Sequence, residues 1–226
     1  MNMLFLDGGA VAVGGGIRPQ QSLSKRNKEN SENKRSLAYK AAEFVAEEDY
    51  IYVDAGSTAI LFAEVLKEKF SSLTVVTHSA DVFDALRDYA NFKVVLCGGH
   101  YMGEENAFYG VLTMGMLENI CTQKAFVCPA AISLEKGICD YQPDLCMLQK
   151  KIIENADKVY FLVDSSKFEQ KAFLKLDEMR KEYCYITDSL LPEDLKKLYL
   201  KIKQQLLSTK QQLVKSVKNN FFMLNN

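Results

Sequence analysis

The sequence predicts an α/β fold, a mostly parallel sheet with helices on both faces. Short, continuously apolar runs recur at 51–53, 73–77 and 94–97, as expected of strands buried on both sides. Between them apolar residues fall at helical spacing, for example Ala59, Phe62, Ala63, Leu66 and Phe70. Strands alternating with amphipathic helices argue for a parallel sheet covered on each face.

Taken in order, residues 1–33 read as a strand or loop and then a linker. Glycines 8–9 and 14–16 frame a Val/Ala stretch, and a polar run follows from Gln20 to Asn33. A helix is expected from Lys34, with Leu37, Ala41 and Val45 on one side and Ala38 and Ala42 beside them. A strand at 51–53, a helix at 59–70 and a strand at 73–77 come next. Val82, Ala85, Leu86 and Tyr89 mark a further helix, and 94–97 a third strand. A glycine-containing loop leads to a helix near 113–119. Strands at 125–132 and 159–163 flank a helix at 145–156, and 183–187 is the last strand. Residues 195–217 keep helical spacing with seven lysines from Lys196 to Lys218 nearby, read as a packing helix with a solvated lysine face. The chain thus divides into an N-terminal segment (1–33), an α/β domain (34–190) and a C-terminal basic amphipathic helix and tail (191–226).

Composition removes several classes of function. A net charge of −1 over 226 residues supplies no general basic field for nucleic acid. No apolar run reaches the roughly 18–20 residues that cross a bilayer, and the N-terminus lacks a basic signal-peptide start. A cytoplasmic protein without membrane partners is expected. Six scattered cysteines include no C-x-x-C pair, so neither a metal site nor a disulfide framework is expected. The Walker and dinucleotide glycine signatures are absent, which leaves no cofactor to assign.

Residues 51–58, Ile-Tyr-Val-Asp-Ala-Gly-Ser-Thr, carry the clearest chemistry. A strand ends at Asp54, turns at Gly56 and enters a helix through Ser57 and Thr58, aiming free amides and a helix dipole at one small space. An ordinary capped turn would have the same residues. Ligands of open α/β sheets bind beyond the carboxyl ends of the strands. The residues that follow the other strands therefore join the candidate set: His78 and Ser79, Gly98 and Gly99, then Lys167 after Asp164. A polar, anionic small molecule, phosphate above all, suits that collection.

These residues resemble the C-terminal sensor domain of DeoR-type transcriptional repressors. The pattern runs through Gly8-Gly9-Ala10-Val11, Lys34 and its Ala-rich helix, Asp54-x-Gly56-Ser57-Thr58, Thr77-His78-Ser79, Gly98-Gly99, Lys124-Ala125-Phe126, Asp164-Ser165-Ser166-Lys167-Phe168 and Ile186-Thr187-Asp188. The resemblance implies a fold related to ribose-5-phosphate isomerase, a phosphorylated sugar or similar effector at the strand ends, and homo-oligomers. Such regulators carry a winged helix-turn-helix ahead of this segment, and seven residues precede Gly8. No specific DNA binding by this chain alone is expected. Departures from the pattern fall at His78, at Cys128-Pro129-Ala130-Ala131, and at Leu145 and Gln149, where the resemblance implies Glu and Lys. The phosphate half of the site matches and the sugar half is altered. The expected function is an effector-binding sensor with no catalysis. A sugar-phosphate isomerase and a ligand-free dimerisation partner are the alternatives.

Overall fold

A computed structural model describes residues 21–201 and 205–208. The glycine-framed segment expected at 1–20 lies outside these residues, as does the tail from 209. Seven parallel strands form the main sheet: β1 (Tyr50–Val53), β2 (Leu73–Thr77), β3 (Phe92–Leu96), β6 (Thr122–Val127), β9 (Ala156–Leu162), β11 (Cys184–Thr187) and β12 (Gln205–Ser208). The short strands β4 (His100–Met102) and β5 (Ala107–Tyr109) make a hairpin beside it. β7 (Ala131–Ser133), β8 (Gly137–Asp140) and β10 (Leu174–Asp177) make a small antiparallel sheet.

The main sheet runs in the order β12-β11-β9-β6-β1-β2-β3. From β1 the chain builds outward through β2 and β3, then crosses back to lay β6, β9, β11 and β12 on the other side. The direction of winding therefore reverses between β1 and β6, which pair Ile51 with Lys124 and Val53 with Phe126. Such a reversal opens a crevice at the carboxyl ends of the two strands.

Alternate residues of each strand feed alternate faces. Ile51, Val53, Phe126 and Leu162 pack with Leu37, Phe62 and Leu66. These come from α2 (Ser31–Ala42) and α3 (Ser57–Lys69), with α4 (Ala80–Leu86) alongside. Tyr52, Ala125, Val127, Phe161 and Tyr185 pack on the opposite face with Leu117, Leu148, Ile152 and Tyr199. That face is covered by α5 (Val111–Leu117), α6 (Pro143–Glu154) and α7 (Glu193–Lys201).

Three expectations change. Residues read as a linker are helical: α1 (Leu23–Lys28) precedes α2, and Leu23 is buried. The strand expected at 125–132 is two strands, because Cys128, Pro129 and Ala130 leave the main sheet after β6 and enter the small sheet at β7. The helix expected over 195–217 stops at Lys201, and the backbone of β12 instead pairs with β11 from Cys184↔Gln205 to Thr187↔Ser208. Pairing with a sheet edge is a tertiary gain that local spacing does not report.

Candidate functional site

The crevice between β1 and β6 holds a cavity of about 250 Å³. Its floor begins with Asp54, at the end of β1. The backbone N–H of Cys128 donates to Asp54 Oδ2 at 2.8 Å, tying the ends of the two strands together. The side-chain amide of Gln149, from α6, donates to the same oxygen at 2.9 Å. Burial raises the Asp54 carboxyl, while the hydrogen bonds from Cys128 and Gln149 oppose that rise.

After Asp54 the chain turns at Gly56, whose φ of +106° is a left-handed conformation that favours glycine. A Cβ at Gly56 would also stand 3.5 Å from the Arg26 guanidinium. No N-cap side chain bonds the N-terminus of α3, and Ser57, its first residue, lines the cavity at the positive end of the helix dipole.

Three cations line the same space. Lys167 closes the 3₁₀ turn Ser165–Lys167 after β9, and its ammonium donates to the carbonyl of Pro129 at 2.7 Å. That contact uses one of three donors. Lys34 is 4% exposed and donates to the carbonyls of Arg26 and Glu29, which fastens the end of α1. Burial lowers the Lys34 pKa most, and Lys167 and Arg26 lower it further by repulsion, so the three charges feel one another. Arg26 pairs with the buried Glu105 and donates from Nε to the carbonyl of Gln21 at 3.0 Å.

The other side of the cavity is acidic. Asp140, at the end of β8, is buried, and desolvation pushes its carboxyl up to about 6. Asp164 is spoken for, accepting from the backbone and hydroxyl of Ser166 in the 3₁₀ turn. Ala130 and Leu145 complete the wall. Of the positions at which the chain departs from its resemblance, Cys128, Ala130, Leu145 and Gln149 line this cavity.

Of the nine candidates drawn from sequence, Asp54, Ser57 and Lys167 line the cavity, and Gly56 sets its turn. Thr58 points elsewhere, its hydroxyl buried without a partner. His78 is fully buried behind Asp54, hydrogen-bonded through Nδ1 to the Tyr52 hydroxyl and stacked on that ring. Ser79 caps α4 by accepting from Val82 N at 3.3 Å. Gly98 accepts from the Thr113 hydroxyl at 3.0 Å, and Gly99 is pressed against Thr113 and Tyr109. These four do not share the cavity, so the expectation that Ser57, His78, Gly99 and Lys167 crowd one hollow is corrected. His100, which follows Gly99, lies exposed at the start of β4. Sequence reading misses Arg26 and Asp140. Lys34 left a signal, since it lies three residues before Leu37 and four before Ala38 on the buried side of its helix.

A second hollow of about 340 Å³ lies between α6, β9 and β10. Its Arg180 and Asp177 are paired with each other at 2.9 Å, and it is away from the strand ends. Among the described residues, no group of three or more His, Cys, Asp or Glu side chains is placed to hold a metal ion. No helix among them is long and apolar enough to cross a membrane.

A parallel sheet whose switch point opens onto a small cavity lined by charged side chains defines an α/β domain with a candidate ligand site at its strand ends. The DeoR C terminal sensor domain family matches residues 29–189, and the chain belongs to that family. It is 31% identical over 168 residues to the L-fucose operon activator of Haemophilus influenzae, covering 74% of this chain and 67% of that protein. It is likewise 31% identical over 182 residues to the transcriptional repressor GlcR of Bacillus subtilis, covering 78% and 69%. The putative aga operon transcriptional repressor of Escherichia coli O157:H7 is 26% identical over 175 residues, covering 77% and 65%. This chain thus spans about two thirds of the length of these regulators. Among solved structures it is similar to ribose 5-phosphate isomerase A of Methanocaldococcus jannaschii, with a TM-score of 0.45, 19% identity, and 62% of this chain and 55% of that chain covered.

Proposed function

We propose that this domain binds a phosphorylated sugar, or a related phosphorylated metabolite, as the effector-sensing part of a transcriptional regulator. The carrying observation is the convergence of Arg26, Lys34 and Lys167 on a cavity floored by the uncapped N-terminus of α3. Three mutually repelling cations at a helix N-terminus are relieved by an anion bearing several acceptor oxygens. At about 250 Å³ the space suits a monosaccharide-sized guest, below the roughly 300–1,000 Å³ of sites for larger ligands. One of the regulators to which the chain is similar is named for a sugar operon, the L-fucose operon activator.

The role is binding without turnover, since its curated relatives are transcriptional regulators. Self-association belongs to the same proposal and is read directly by sedimentation. The binding test is a thermal-shift screen of the whole chain against sugar phosphates, their unphosphorylated sugars and inorganic phosphate. A ligand at 100 times its dissociation constant adds about 2.7 kcal/mol of stability. For a chain of this size that is a rise of roughly 5–11 °C. The expected result is a rise with phosphorylated compounds alone. No shift with any phosphorylated compound sinks the proposal, and consumption of a sugar phosphate by the chain removes the claim that it performs no chemistry.

A further inference from the structure

The cavity is chemically divided. The charges that bear on Lys34 are Asp164, Lys167, Arg26 and Glu29, whereas those that bear on Asp140 are Asp54 and Lys167. Arg26 and Lys34 stand on the side near α1, where Glu29 and Glu105 also line the wall, Asp54 and Asp140 stand on the side near β8 and α6, and Lys167 bears on both. At the acidic side Gln149 is wedged against both carboxylates. Its amide nitrogen donates to Asp54 at 2.9 Å, and the same side chain favours the ionised form of Asp140. The donor end of the amide is thus turned to the carboxylates. The other amide atom, Gln149 Oε1, is buried without any partner, on a side chain only 4% exposed. What this side still offers a guest is acceptors: two carboxylates that a neutral amide does not neutralise, and one orphan carbonyl oxygen.

A neutral sugar hydroxyl donates once and must also be supplied with a donor to be fully satisfied. An ammonium donates three times, accepts nothing and brings the missing positive charge. Together with the cationic side this specifies a guest with a phosphate at one end and a protonated amine at the other. We infer that the cavity selects a phosphorylated amino sugar with a free amine, its phosphate among Arg26, Lys34 and Lys167 and its ammonium among Asp54, Asp140 and Gln149 Oε1. The inference rests on the phosphate-binding reading above and sharpens it to a substrate class.

The test is calorimetric titration of the whole chain with three probes: 2-amino-2-deoxyglucose 6-phosphate, its N-acetyl derivative, and glucose 6-phosphate. Charge-assisted hydrogen bonds to the amine make the first probe bind roughly tenfold or more tighter than the other two. Asp140→Asn narrows that ratio several-fold while Lys167→Met weakens all three probes together. If the acetylated or neutral sugar phosphate binds as well as the amine, this inference is overturned and the sensor reading stands. If none of the three binds, and none of the wider phosphate panel either, both fall. The comparison of the three probes uses the unaltered chain, so its outcome holds even where a variant fails to fold.

Discussion

His78 Nε2 lies 3.8 Å from Asp54 Oδ1, with both side chains sealed from solvent. The histidine thus backs the carboxylate that floors the cavity, with its Nε2 making no hydrogen bond. Desolvation holds its pKa at about 4, well below the ordinary 6.5. The unfolded chain therefore binds a proton that the folded chain refuses between those two pH values. His78 draws stability down as pH falls from 6.5 to 4, by on the order of 3 kcal/mol across the window.

Asp140 acts in the opposite sense over nearly the same range. Its folded pKa of about 6 exceeds the ordinary 3.8, so the folded chain takes up a proton first and gains stability as pH falls from 6 to 3.8. Asp54, raised by burial as well, adds to that gain. The two effects offset each other in the parent chain. Melting temperatures recorded from pH 7 to pH 4 will unmask each: His78→Asn gains stability on acidification, and Asp140→Asn loses it more steeply than the parent. Parallel profiles for all three chains would contradict this account.

At pH 7 the same Asp140 charge is a cost that the empty domain bears. Asp140→Asn is expected to raise the melting temperature at pH 7 by several degrees, since relief of up to about 3 kcal/mol follows from the raised pKa. A group placed for a ligand commonly destabilises the apo fold in this way. Urea titration gives an independent reading, with a higher midpoint at an unchanged slope.

Lys167 presents a partly exposed side chain with one hydrogen bond to the Pro129 carbonyl. Lys167→Met should leave stability within about 1 kcal/mol of the parent, the value of one ordinary hydrogen bond. Affinity for a sugar phosphate should fall roughly 10- to 150-fold, the loss that accompanies one charge-assisted contact. Calorimetric titration beside a melting curve separates the two quantities, and unchanged affinity would remove Lys167 from the site.

Gly99 matters for packing. An added Cβ would stand 2.2 Å from Thr113 Oγ1 and 2.5 Å from the Tyr109 carbonyl. Gly99→Ala should cost roughly 1–3 kcal/mol by forcing α5 away from the loop after β3. The affinity of the folded protein for a sugar phosphate should hold. A selective loss of affinity at normal stability would return this loop to the binding site.

The sheet is readable in the sequence because strands covered on both faces must be largely apolar, and 51–53 and 94–97 are apolar throughout. Asp54, Ser57 and Lys167 were readable because they follow strands that border or flank the crevice. His78, Ser79, Gly98 and Gly99 follow strands just as directly, yet β2 and β3 lie on the far side of β1 from β6. Spatial strand order, which decides whose loops meet, is set by crossovers and leaves no local mark. Arg26 comes from a segment that looked like a polar linker, and only burial of Leu23 and the anchoring of α1 by Lys34 bring it in. Asp140 ends a four-residue strand, and the residue it pairs with, Leu174, is distant in sequence.

The earliest described helix is also a piece of the cavity's wall. Arg26 reaches the hollow from α1, while Lys34 grips the carbonyls that end that helix. Any guest that draws affinity from Arg26 must, by thermodynamic reciprocity, tighten α1 in its seat to the same degree. Occupancy of the hollow and the seating of α1 would then be two readings of a single free energy.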